Sequence, residues 1–284
     1  MKILITGGSG FLGSHVADEL TKRGHYVKIF DIKKAKWIRK NQKFIKGNIL
    51  DFKKLSKVMH KVDYIFHFAA LASLDEALFK PLETVKNNIL GTVNILELAK
   101  KKKIKRVIYA SSIYSTSIQG GFYKCSKRAA EDYIEEYKKR YNLNFTILRY
   151  GSLYGSRSGP DNGVNRIIKS ARNGKNIIYI GKKNAVRRYI HVSDAAKASA
   201  NMISDKYKNK YVNIVGNKSY RITELFKIIS KLFGKQFNVK YNPKKYAGHY
   251  AKNPKIYKIN QGLNYIFRNN INLETGVKQL IKKK

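Results

Sequence analysis

The chain has 284 residues, a formal net charge of +41 and a hydrophobic content of 43%, which suits one large α/β domain or one domain with a smaller lobe. One cysteine, Cys125, excludes an intramolecular disulfide framework, and six scattered histidines show no metal-ligand spacing. No apolar run approaches the ~20 residues that cross a bilayer. Because the chain begins directly with a predicted strand at Lys2, we expect no signal peptide and a cytoplasmic location. The histidine spacing predicts no bound metal.

The excess of positive charge can be explained in three ways. Lysines occur in nearly every predicted element instead of forming one tail. Lys, Asn, Ile and Tyr all have A/T-rich codons, so genome composition alone can produce such a surface. The alternatives are a general attraction for anionic substrates and a specific nucleic-acid partner. We favour the first explanation and expect neither a membrane nor a nucleic acid as a partner.

The first predicted element is a buried strand at Lys2–Thr6, followed directly by glycines and then by a helix. Gly7 turns the chain, Gly10 lets a pyrophosphate approach the backbone, and Gly13 lets the helix pack close to the sheet. The N–H groups at the helix N-terminus favour phosphates. Asp31 ends the next apolar run, where an acidic side chain meets an adenosine ribose. The pattern predicts a dinucleotide site, and the carboxylate favours NAD over NADP because it repels a 2′-phosphate.

Strand and helix patterns then alternate through the first half of the chain. The predicted strands are Lys2–Thr6, Val27–Phe30, Lys43–Ile45, Tyr64–Phe68, Val107–Ser111 and Phe145–Arg149, and the predicted helices are Leu12–Arg23, Phe52–Lys57, Leu82–Lys101 and Tyr123–Arg140. Such alternation implies right-handed crossovers and a parallel sheet covered on both faces. In the third helix, a stripe at helical spacing is predicted to be core: Val85, Ile89, Val93, Leu96 and Ala99.

After residue 150 the pattern changes. A glycine-rich loop at 151–163 is predicted to bind a ligand. Shorter elements follow, with Thr223 and Asn272 as predicted helix caps. They are helices at Val164–Asn173, Ser193–Ser204, Thr223–Phe233 and Leu273–Lys283, and strands at Ile177–Ile180, Arg188–Ile190 and Tyr211–Ile214. Residues 242–270 have no assigned element.

Candidate catalytic residues stand at the end of one predicted strand and the start of the next helix. Ser111 and Ser112 close the strand, and ligands bind at strand C-termini in doubly wound sheets. Tyr123 and Lys127 are four residues apart and share one helical face. The ammonium is expected to lower the pKa of the phenol, which is otherwise near ~10, so that it can deprotonate an alcohol while hydride leaves for a nicotinamide. Cys125 has no base near it and is expected to be inert.

These motifs resemble those of the extended short-chain dehydrogenases/reductases, in particular the NAD-dependent nucleotide-sugar epimerase/dehydratase family, over essentially the whole chain. The resemblance rests on the glycine turn Thr6-Gly7-Gly8-Ser9-Gly10-Phe11-Leu12-Gly13, on Gly47-Asn48-Ile49-Leu50-Asp51, on His67-Phe68-Ala69-Ala70 and on Asn88-Ile89-Leu90-Gly91-Thr92. In the family these segments hold the pyrophosphate, contact the adenine, run beside the cofactor and support the active site. The implied NAD-binding residues are Gly7, Gly10, Phe11, Leu12, Gly13, Asp31, Asn48, Ile49, Phe68, Ala69, Ala70, Asn88, Tyr123, Lys127 and Tyr150.

The resemblance also implies catalytic and substrate-binding roles. It places Ser112, rather than Ser111, at the catalytic serine, Tyr123 at the acid/base, and Lys127 at its partner, which also binds the nicotinamide ribose. Arg187 begins a segment whose first arginine grips the nucleotide diphosphate, a role that suits a permanently charged bidentate donor. His191 in the same segment is expected to be structural. The implied substrate-binding residues are Ser112, Ser152 and Arg187.

The implied fold is α/β, a Rossmann-type doubly wound parallel sheet with a smaller C-terminal substrate-binding lobe. We expect an NAD-binding domain at 1–150 and a substrate-binding lobe at 151–284, interleaved around 187–214. A homodimer is implied through the helices at Leu82–Lys101 and Tyr123–Arg140.

Two departures from the family narrow the expected reaction. Ser112 and Tyr123 are closer in sequence than in most extended members, which predicts a more open substrate side. Ile113 and Tyr114 follow Ser112, where 4,6-dehydratases carry an Asp-Glu pair and a decarboxylase is expected to carry glutamate. We therefore expect an NAD-dependent nucleotide-sugar epimerase that acts on a UDP-hexose at C4.

Two alternatives remain open. One is a nucleotide-sugar reductase or dehydrogenase that releases its oxidised cofactor. The other is a non-catalytic relative that binds RNA through its basic surface, for which the aromatic and basic residues near Tyr246, Tyr250 and Tyr257 are the local support.

Overall fold

The computed structural model describes residues 1–174, 176–242 and 261–282. Its strands are β1 Lys2–Thr6, β2 Tyr26–Asp31, β3 Gln42–Lys46, β4 Tyr64–His67, β5 Arg106–Ser112, β6 Phe145–Tyr150, β7 Ser152–Tyr154, β8 Ile177–Tyr179, β9 Val186–Arg187, β10 Tyr189–His191, β11 Lys210–Ile214, β12 Tyr220–Arg221, β13 Val239–Tyr241 and β14 Leu263–Asn264. Its α-helices are α1 Phe11–Lys22, α2 Phe52–Val58, α3 Leu74–Phe79, α4 Pro81–Val85, α5 Gly91–Lys101, α6 Gly121–Tyr141, α7 Gly163–Arg172, α8 Val192–Asn201, α9 Ile222–Phe233 and α10 Leu273–Lys282.

Within these residues, eight strands form one sheet in which every neighbouring pair is parallel. The strand order is β14-β11-β6-β5-β4-β1-β2-β3. Its six strands from β6 to β3 have the order of a doubly wound dinucleotide-binding fold, so the predicted Rossmann-type α/β fold is confirmed. The order reverses between β1 and β4, and a crevice is expected outside the carboxyl ends of these strands.

The central strands are apolar because helices cover both faces of the sheet. Successive side chains of β1 point to opposite faces. Leu4 packs in one core cluster with residues of α2, α5 and α6, whereas Ile3 and Ile5 pack in a second cluster with residues of α1 and α8. Burial on both sides explains why these strands read as continuous apolar runs rather than as alternating ones.

Residues after 150 contribute to two parts of the molecule. A third apolar cluster joins α7, α9 and α10 around Tyr154, Ile167 and Leu225. By contrast, β11 and β14 lie in the main sheet, where β11 pairs with β6. The division into domains at residue 150 stays a prediction, and its two parts share the main sheet.

The predicted continuous helix at Leu82–Lys101 is wrong in one respect. A π-helical turn at Lys86–Leu90 separates α4 from α5. Because a π turn holds more residues than an α turn, it rotates the buried face. Leu96 and Ala99 of the predicted stripe are buried, but Val85 is 49% exposed.

One of the two predicted helix caps is confirmed. Asn272 accepts a hydrogen bond from the Thr275 amide at 2.8 Å at the start of α10. The cap predicted at Thr223 is wrong, because α9 begins at Ile222 and Arg221 is its N-cap. The Glu224 carboxylate accepts from the Arg221 amide at 2.6 Å and completes that cap.

Among the described residues, no helix combines the length and the apolarity that a bilayer requires, and no group of three His, Cys, Asp or Glu side chains could hold a metal. The predicted RNA-contact residues Tyr246, Tyr250 and Tyr257, and the last predicted helical residue Lys283, lie outside the described residues.

Candidate active site

A cleft of about 920 Å³ opens at the carboxyl ends of β1, β4, β5 and β6. This volume is at the upper end of the range for small-molecule sites. All predicted site residues except Asn88 line it, namely Gly7, Gly10, Phe11, Leu12, Gly13, Asp31, Asn48, Ile49, Phe68, Ala69, Ala70, Ser112, Tyr123, Lys127, Tyr150, Ser152 and Arg187. The fold therefore brings the glycine turn and the candidate catalytic residues to one cavity.

The glycine turn forms a backbone cradle that side chains would fill. Gly7 has a φ of +72°, and a Cβ there would lie 2.5 Å from the Ala69 nitrogen. A Cβ on Gly13 would lie 2.3 Å from the Gly7 oxygen, so this glycine lets α1 approach the turn. The first turn of α1 carries no acidic residue that would compete for its N–H groups. These features fit a bound pyrophosphate.

Asp31 is fixed at the edge of this cradle. Its Oδ2 accepts a hydrogen bond from the Ser9 amide at 3.0 Å, and its Oδ1 accepts one from the Lys33 amide at 3.3 Å. Both bonds orient a carboxylate that lines the cleft, which fits a ribose hydroxyl as its partner. Asn48 also lines the cleft, and its Oδ1 accepts from the Leu50 amide at 2.9 Å.

The three candidate catalytic side chains converge where β5 ends and α6 begins. Ser112, Tyr123 and Lys127 are 7%, 8% and 4% exposed. The Ser112 hydroxyl is hydrogen-bonded to the Tyr123 phenol. Lys127 Nζ donates to the Ala110 carbonyl at 2.8 Å and lies 5.8 Å from the centre of the Tyr123 ring.

Burial dominates the acid–base properties of this set. It raises the pKa of Tyr123 to about 12, although the hydrogen bond with Ser112 lowers it. The expected lowering by Lys127 is therefore wrong for the protein alone, because desolvation disfavours the phenolate more strongly. Burial also lowers the pKa of Lys127 to about 8, against the opposing charge of Glu131. Tyr123 is consequently protonated at neutral pH in this structure.

The short connection from Ser112 to Tyr123 folds as a compact turn. A 3₁₀ turn at Ile113–Thr116 follows β5, and Gly120 and Gly121 have φ angles of +116° and +53°. A Cβ on Gly120 would lie 2.9 Å from Cδ1 of Tyr114. These two glycines let α6 begin just before Tyr123.

Asn88 does not line the cleft and is 1% exposed. Its Oδ1 accepts from the Leu71 amide at 2.7 Å, and its Nδ2 donates to the Leu71 carbonyl at 3.0 Å and to Ser126 Oγ at 2.9 Å. Asn88 therefore ties the segment after β4 to the helix that carries Tyr123. This geometry suits a positioning role, and the predicted contact of Asn88 with the cofactor stays a prediction.

Residues of the second half close the other side of the cleft. Tyr150 lines the cleft, and its hydroxyl shares a 2.6 Å hydrogen bond with Ser199 Oγ. Ser152 lies on β7, and Arg187 lies on β9, where its Nη1 donates to the Val186 carbonyl at 2.9 Å. His191 packs against the Tyr154 ring with the two ring centres 5.3 Å apart, as expected for a structural residue.

The predicted binding loop at 151–163 reaches across to α1. Ser152 and Asn162, at its two ends, line the cleft. Arg157, near its middle, forms an ion pair of 2.8 Å with Asp18 of α1. The loop thus joins the helix of the glycine turn to the substrate side of the cleft.

Sequence reasoning missed an ion pair beneath the catalytic residues. Glu131 and Arg149 are 1% exposed and are joined by a 2.6 Å contact between Nη2 and Oε2. Glu131 follows Lys127 by four residues, so helical spacing could have placed it on the same face as Lys127 and Tyr123.

Comparison with known proteins agrees with this site. Residues 3–215 match the model of the NAD dependent epimerase/dehydratase family. The chain belongs to this family. Its cofactor is NAD, and the glycine cradle and Asp31 fit that dinucleotide.

Relatives within the family differ in the reactions their names describe. A Methanocaldococcus jannaschii protein named "Putative UDP-glucose 4-epimerase" is 30% identical, over 98% of this chain and 97% of the relative. A UDP-N-acetyl-alpha-D-glucosaminuronate decarboxylase from Bacillus cytotoxicus is 31% identical, over 99% of this chain and 97% of the relative. Identity alone therefore does not separate epimerisation from decarboxylation.

The fold matches a solved family structure along the whole chain. The UDP-glucose 4-epimerase of Thermotoga maritima, solved with UDP-glucose, has a TM-score of 0.87 and 28% identity, covering 99% of this chain and 98% of that one. The UDP-N-acetylglucosamine 4-epimerase of Methanobrevibacter ruminantium, in complex with UDP-N-acetylmuramic acid, has a TM-score of 0.86 and 26% identity, covering 99% and 97%.

Proposed function

We propose that this member of the family is a nucleotide-sugar epimerase that interconverts UDP-hexoses at the sugar C4. The observation that carries the proposal is the convergence of Ser112, Tyr123 and Lys127 in the cleft of the glycine turn. Bound NAD supplies a hydride acceptor that can return the hydride to either face of the sugar, and a positively charged ring beside which a phenolate is favoured.

In this proposal each side chain has a defined task. Tyr123 Oη takes the proton from the sugar hydroxyl. The Ser112 hydroxyl orients the phenol oxygen and the oxygen of the sugar hydroxyl. Lys127 places a positive charge beside the phenol and binds the nicotinamide ribose. Arg187 binds the diphosphate as a bidentate donor. Alignment of these groups with the sugar hydroxyl lowers the entropic part of the barrier.

The acidic residues of the cleft favour epimerisation over elimination or decarboxylation. Among the described residues that line it, the carboxylates are Asp31, Glu76 and Asp161. Asp31 is bonded to the Ser9 amide, and Glu76 forms a 2.8 Å ion pair with Lys80. None of them lies on the segment from Ser112 to Tyr123, where a general acid for dehydration would be expected in this family.

Incubation of the purified protein with NAD and UDP-glucose tests the proposal. We expect UDP-galactose to form, as measured by ¹H NMR, while the absorbance of reduced nicotinamide at the end of the reaction equals that at the start. Net formation or consumption of reduced cofactor would instead support a reductase or dehydrogenase. No conversion of UDP-glucose, UDP-galactose or their N-acetylated forms would refute the proposal.

We also propose that the protein acts in the cytosol as a homodimer. Helices α3 and α4 pack against α6. These three helices carry several large apolar side chains that are exposed. We define this apolar face as Phe79, Leu82, Val85, Phe122 and Tyr133, each between 47% and 85% exposed. Several large apolar side chains exposed on helices that pack together are typical of an interaction site. A second copy of the chain, related by a twofold axis, would bury it.

A further inference from the structure

The Glu131 carboxylate accepts several hydrogen bonds directly beneath the candidate catalytic residues. Its Oε1 accepts from Ser111 Oγ at 2.5 Å and from Arg149 Nε at 3.0 Å. Its Oε2 accepts from Arg149 Nη2 at 2.6 Å. The Arg149 guanidinium in turn lies 4.4 Å from the centre of the Tyr211 ring. The charge of this buried carboxylate is thus compensated by a guanidinium whose own position is fixed by packing.

Stability alone does not require such a pair. A buried ion pair is often no more stabilising than apolar side chains of similar volume. The position of Glu131 suggests a different use, because its hydrogen-bond partners besides Arg149 are Ser111, directly before Ser112, and Ser115, three residues after it.

Ser111 and Ser115 connect the carboxylate to the backbone of Ser112. Ser111 precedes Ser112, and its hydroxyl donates to Glu131. Ser115 Oγ lies 2.8 Å from Glu131 Oε1 and 2.8 Å from the Ser112 carbonyl oxygen. Because a hydroxyl has one proton, Ser115 can donate to only one of these acceptors at a time. When Ser115 donates to Glu131, the carboxylate holds the chain directly before Ser112 and three residues after it.

Glu131 also acts on Lys127, one helical turn away. Its negative charge raises the pKa of Lys127, whereas burial lowers that pKa to about 8. Lys127 Nζ also donates to the Ala110 carbonyl. Other groups around it among the described residues include Tyr109 of β5, with its ring centre 4.8 Å from Nζ, Tyr123 of α6 and His67 of β4. Burial and the charge of Lys127 lower the pKa of His67 to about 3, so His67 is neutral and adds no positive charge.

We propose that Glu131 is a positioning residue of this active site. Its carboxylate anchors the two serines that flank Ser112 and places a negative charge one turn from Lys127. The effect on turnover rests on the proposed epimerase function, whereas the effect on Lys127 does not, since Lys127 faces the NAD cleft whatever the substrate.

The first test measures NAD affinity by calorimetry between about pH 6 and pH 10 in wild type, Glu131→Gln and Glu135→Gln. Affinity is expected to fall as Lys127 loses its proton. In Glu131→Gln the midpoint of this loss is expected about one pH unit lower, because the stabilising negative charge is gone. Glu135→Gln removes a carboxylate one turn further along α6, bonded to Tyr211, and is expected to leave the midpoint unchanged.

The second test covers the case in which Glu131→Gln does not fold. The double variant Ser111→Ala, Ser115→Ala keeps the ion pair and removes only the links to Ser112. Its kcat on UDP-glucose is expected to fall about 10- to 100-fold with little change in KM or in NAD affinity. The control Ser117→Ala removes a hydroxyl that accepts from the Gln119 amide, and its kcat is expected within twofold of wild type.

Two results would overturn this role for Glu131. One is an unshifted midpoint of NAD affinity in a folded Glu131→Gln protein. The other is a kcat within twofold of wild type for the double serine variant. If the wild type does not convert UDP-hexoses, the proposed function fails. The NAD titration of Glu131→Gln then still decides the role of Glu131. If that variant does not fold, Glu131→Asp, which moves the carboxylate away from Lys127 by one methylene, is titrated in its place, and an unshifted midpoint overturns the role.

Discussion

Burial sets the acid–base chemistry of single residues in this cleft. It raises the pKa of Tyr123 to about 12 and lowers the pKa of Lys127 to about 8. Both changes follow from one cause, since a low-dielectric environment disfavours phenolate and ammonium alike. The two side chains therefore carry a proton each at neutral pH, and the phenol is ready to exchange its proton only when further positive charge reaches the site.

We predict that Tyr123→Phe lowers kcat by about 10²- to 10⁴-fold, because it removes the group that exchanges the proton of the sugar hydroxyl. NAD affinity is expected to stay within a few-fold of wild type. Formation of UDP-galactose from UDP-glucose measures the change. Tyr133→Phe, on an exposed turn of the same helix, is the control and should retain full activity. Equal activity of Tyr123→Phe and wild type would exclude the proposed role.

We predict that buried His67 makes the folded protein less stable in acid. Burial and the charge of Lys127 lower the pKa of His67 to about 3, whereas an unfolded histidine titrates near about 6.5. Below about pH 6.5 the unfolded chain binds a proton that the folded chain does not, so stability falls as pH falls, by about 1.4 kcal/mol per pH unit.

Thermal denaturation between pH 7 and pH 4 measures this effect. His67→Gln is expected to be less stable at pH 7, because His67 Nδ1 and Nε2 lie 2.6 Å from Thr6 Oγ1 and 3.1 Å from Thr92 Oγ1. Its Tm should nevertheless depend less on pH than that of wild type. His60→Gln, at an exposed position, should keep the wild-type slope. A slope unchanged by His67→Gln would contradict the assignment.

At the scale of elements, the glycine turn shows how close packing prepares a phosphate site. Gly13→Ala would place a Cβ 2.3 Å from the Gly7 oxygen, and a backbone atom cannot move aside as a flexible side chain can. We predict that this variant loses at least about tenfold in NAD affinity, since α1 must move away from the cradle.

Gly159→Ala is the matched control for Gly13→Ala. A Cβ at Gly159 meets no atom within 4 Å, so NAD affinity and Tm are expected to be unchanged. Calorimetric titration of both variants with NAD measures the difference. Wild-type affinity in Gly13→Ala would mean that the turn does not approach the cofactor as closely as proposed.

The elements that could be predicted are those determined by local patterns. Alternating apolar runs and a glycine turn predict the doubly wound sheet and single out Gly7 and Asp31. The spacing of four residues singles out Tyr123 and Lys127. The π turn at Lys86–Leu90 could not be predicted, because it contains Asn88, whose partners Leu71 and Ser126 are 17 and 38 residues away. Such a turn is stabilised by contacts that exist only after folding.

The effects of burial on the pKa values of Tyr123 and Lys127 could not be predicted either, because burial too exists only after folding. The spacing of Tyr123 and Lys127 places both side chains on one helical face, and both line the cleft. The same spacing predicts that Lys127 lowers the pKa of Tyr123, whereas burial raises that pKa. Desolvation depends on how deeply the fold encloses both groups, which helical spacing does not reveal. Glu131 illustrates a further limit of sequence reasoning. Its ion-pair partner Arg149 lies on β6 and not on α6, so helical spacing does not reveal the pair.

At the scale of the whole molecule, the exposed apolar face contrasts with a net charge of +41. Like-charged copies repel one another, so apolar contact must outweigh that repulsion for a dimer to form. Repulsion between copies weakens as salt screens it, with a Debye length of about 8 Å at physiological ionic strength. We therefore expect dimerisation to strengthen with salt.

We predict that the double variant Leu82→Glu, Val85→Glu is a monomer, because it places charge in the apolar face. Light scattering after size exclusion measures the mass of wild type and variant at low and high salt. Substituting the exposed Ile178, on β8 outside this face, with Glu is the control and should leave the dimer intact. A monomeric wild type, or a dimer of the double variant, would contradict the proposed interface.

The most direct test of the account is the fate of hydrogen at the sugar C4 when the protein converts UDP-glucose in D₂O. In the proposed reaction, Ser112, Tyr123 and Lys127 exchange the proton of the sugar hydroxyl, and bound NAD would take the C4 hydrogen as hydride and return it without exchange with solvent. The account predicts UDP-galactose with protium at C4, measured by ¹H NMR and mass spectrometry. Deuterium at C4, or the absence of any product from an NAD-loaded protein, would contradict it.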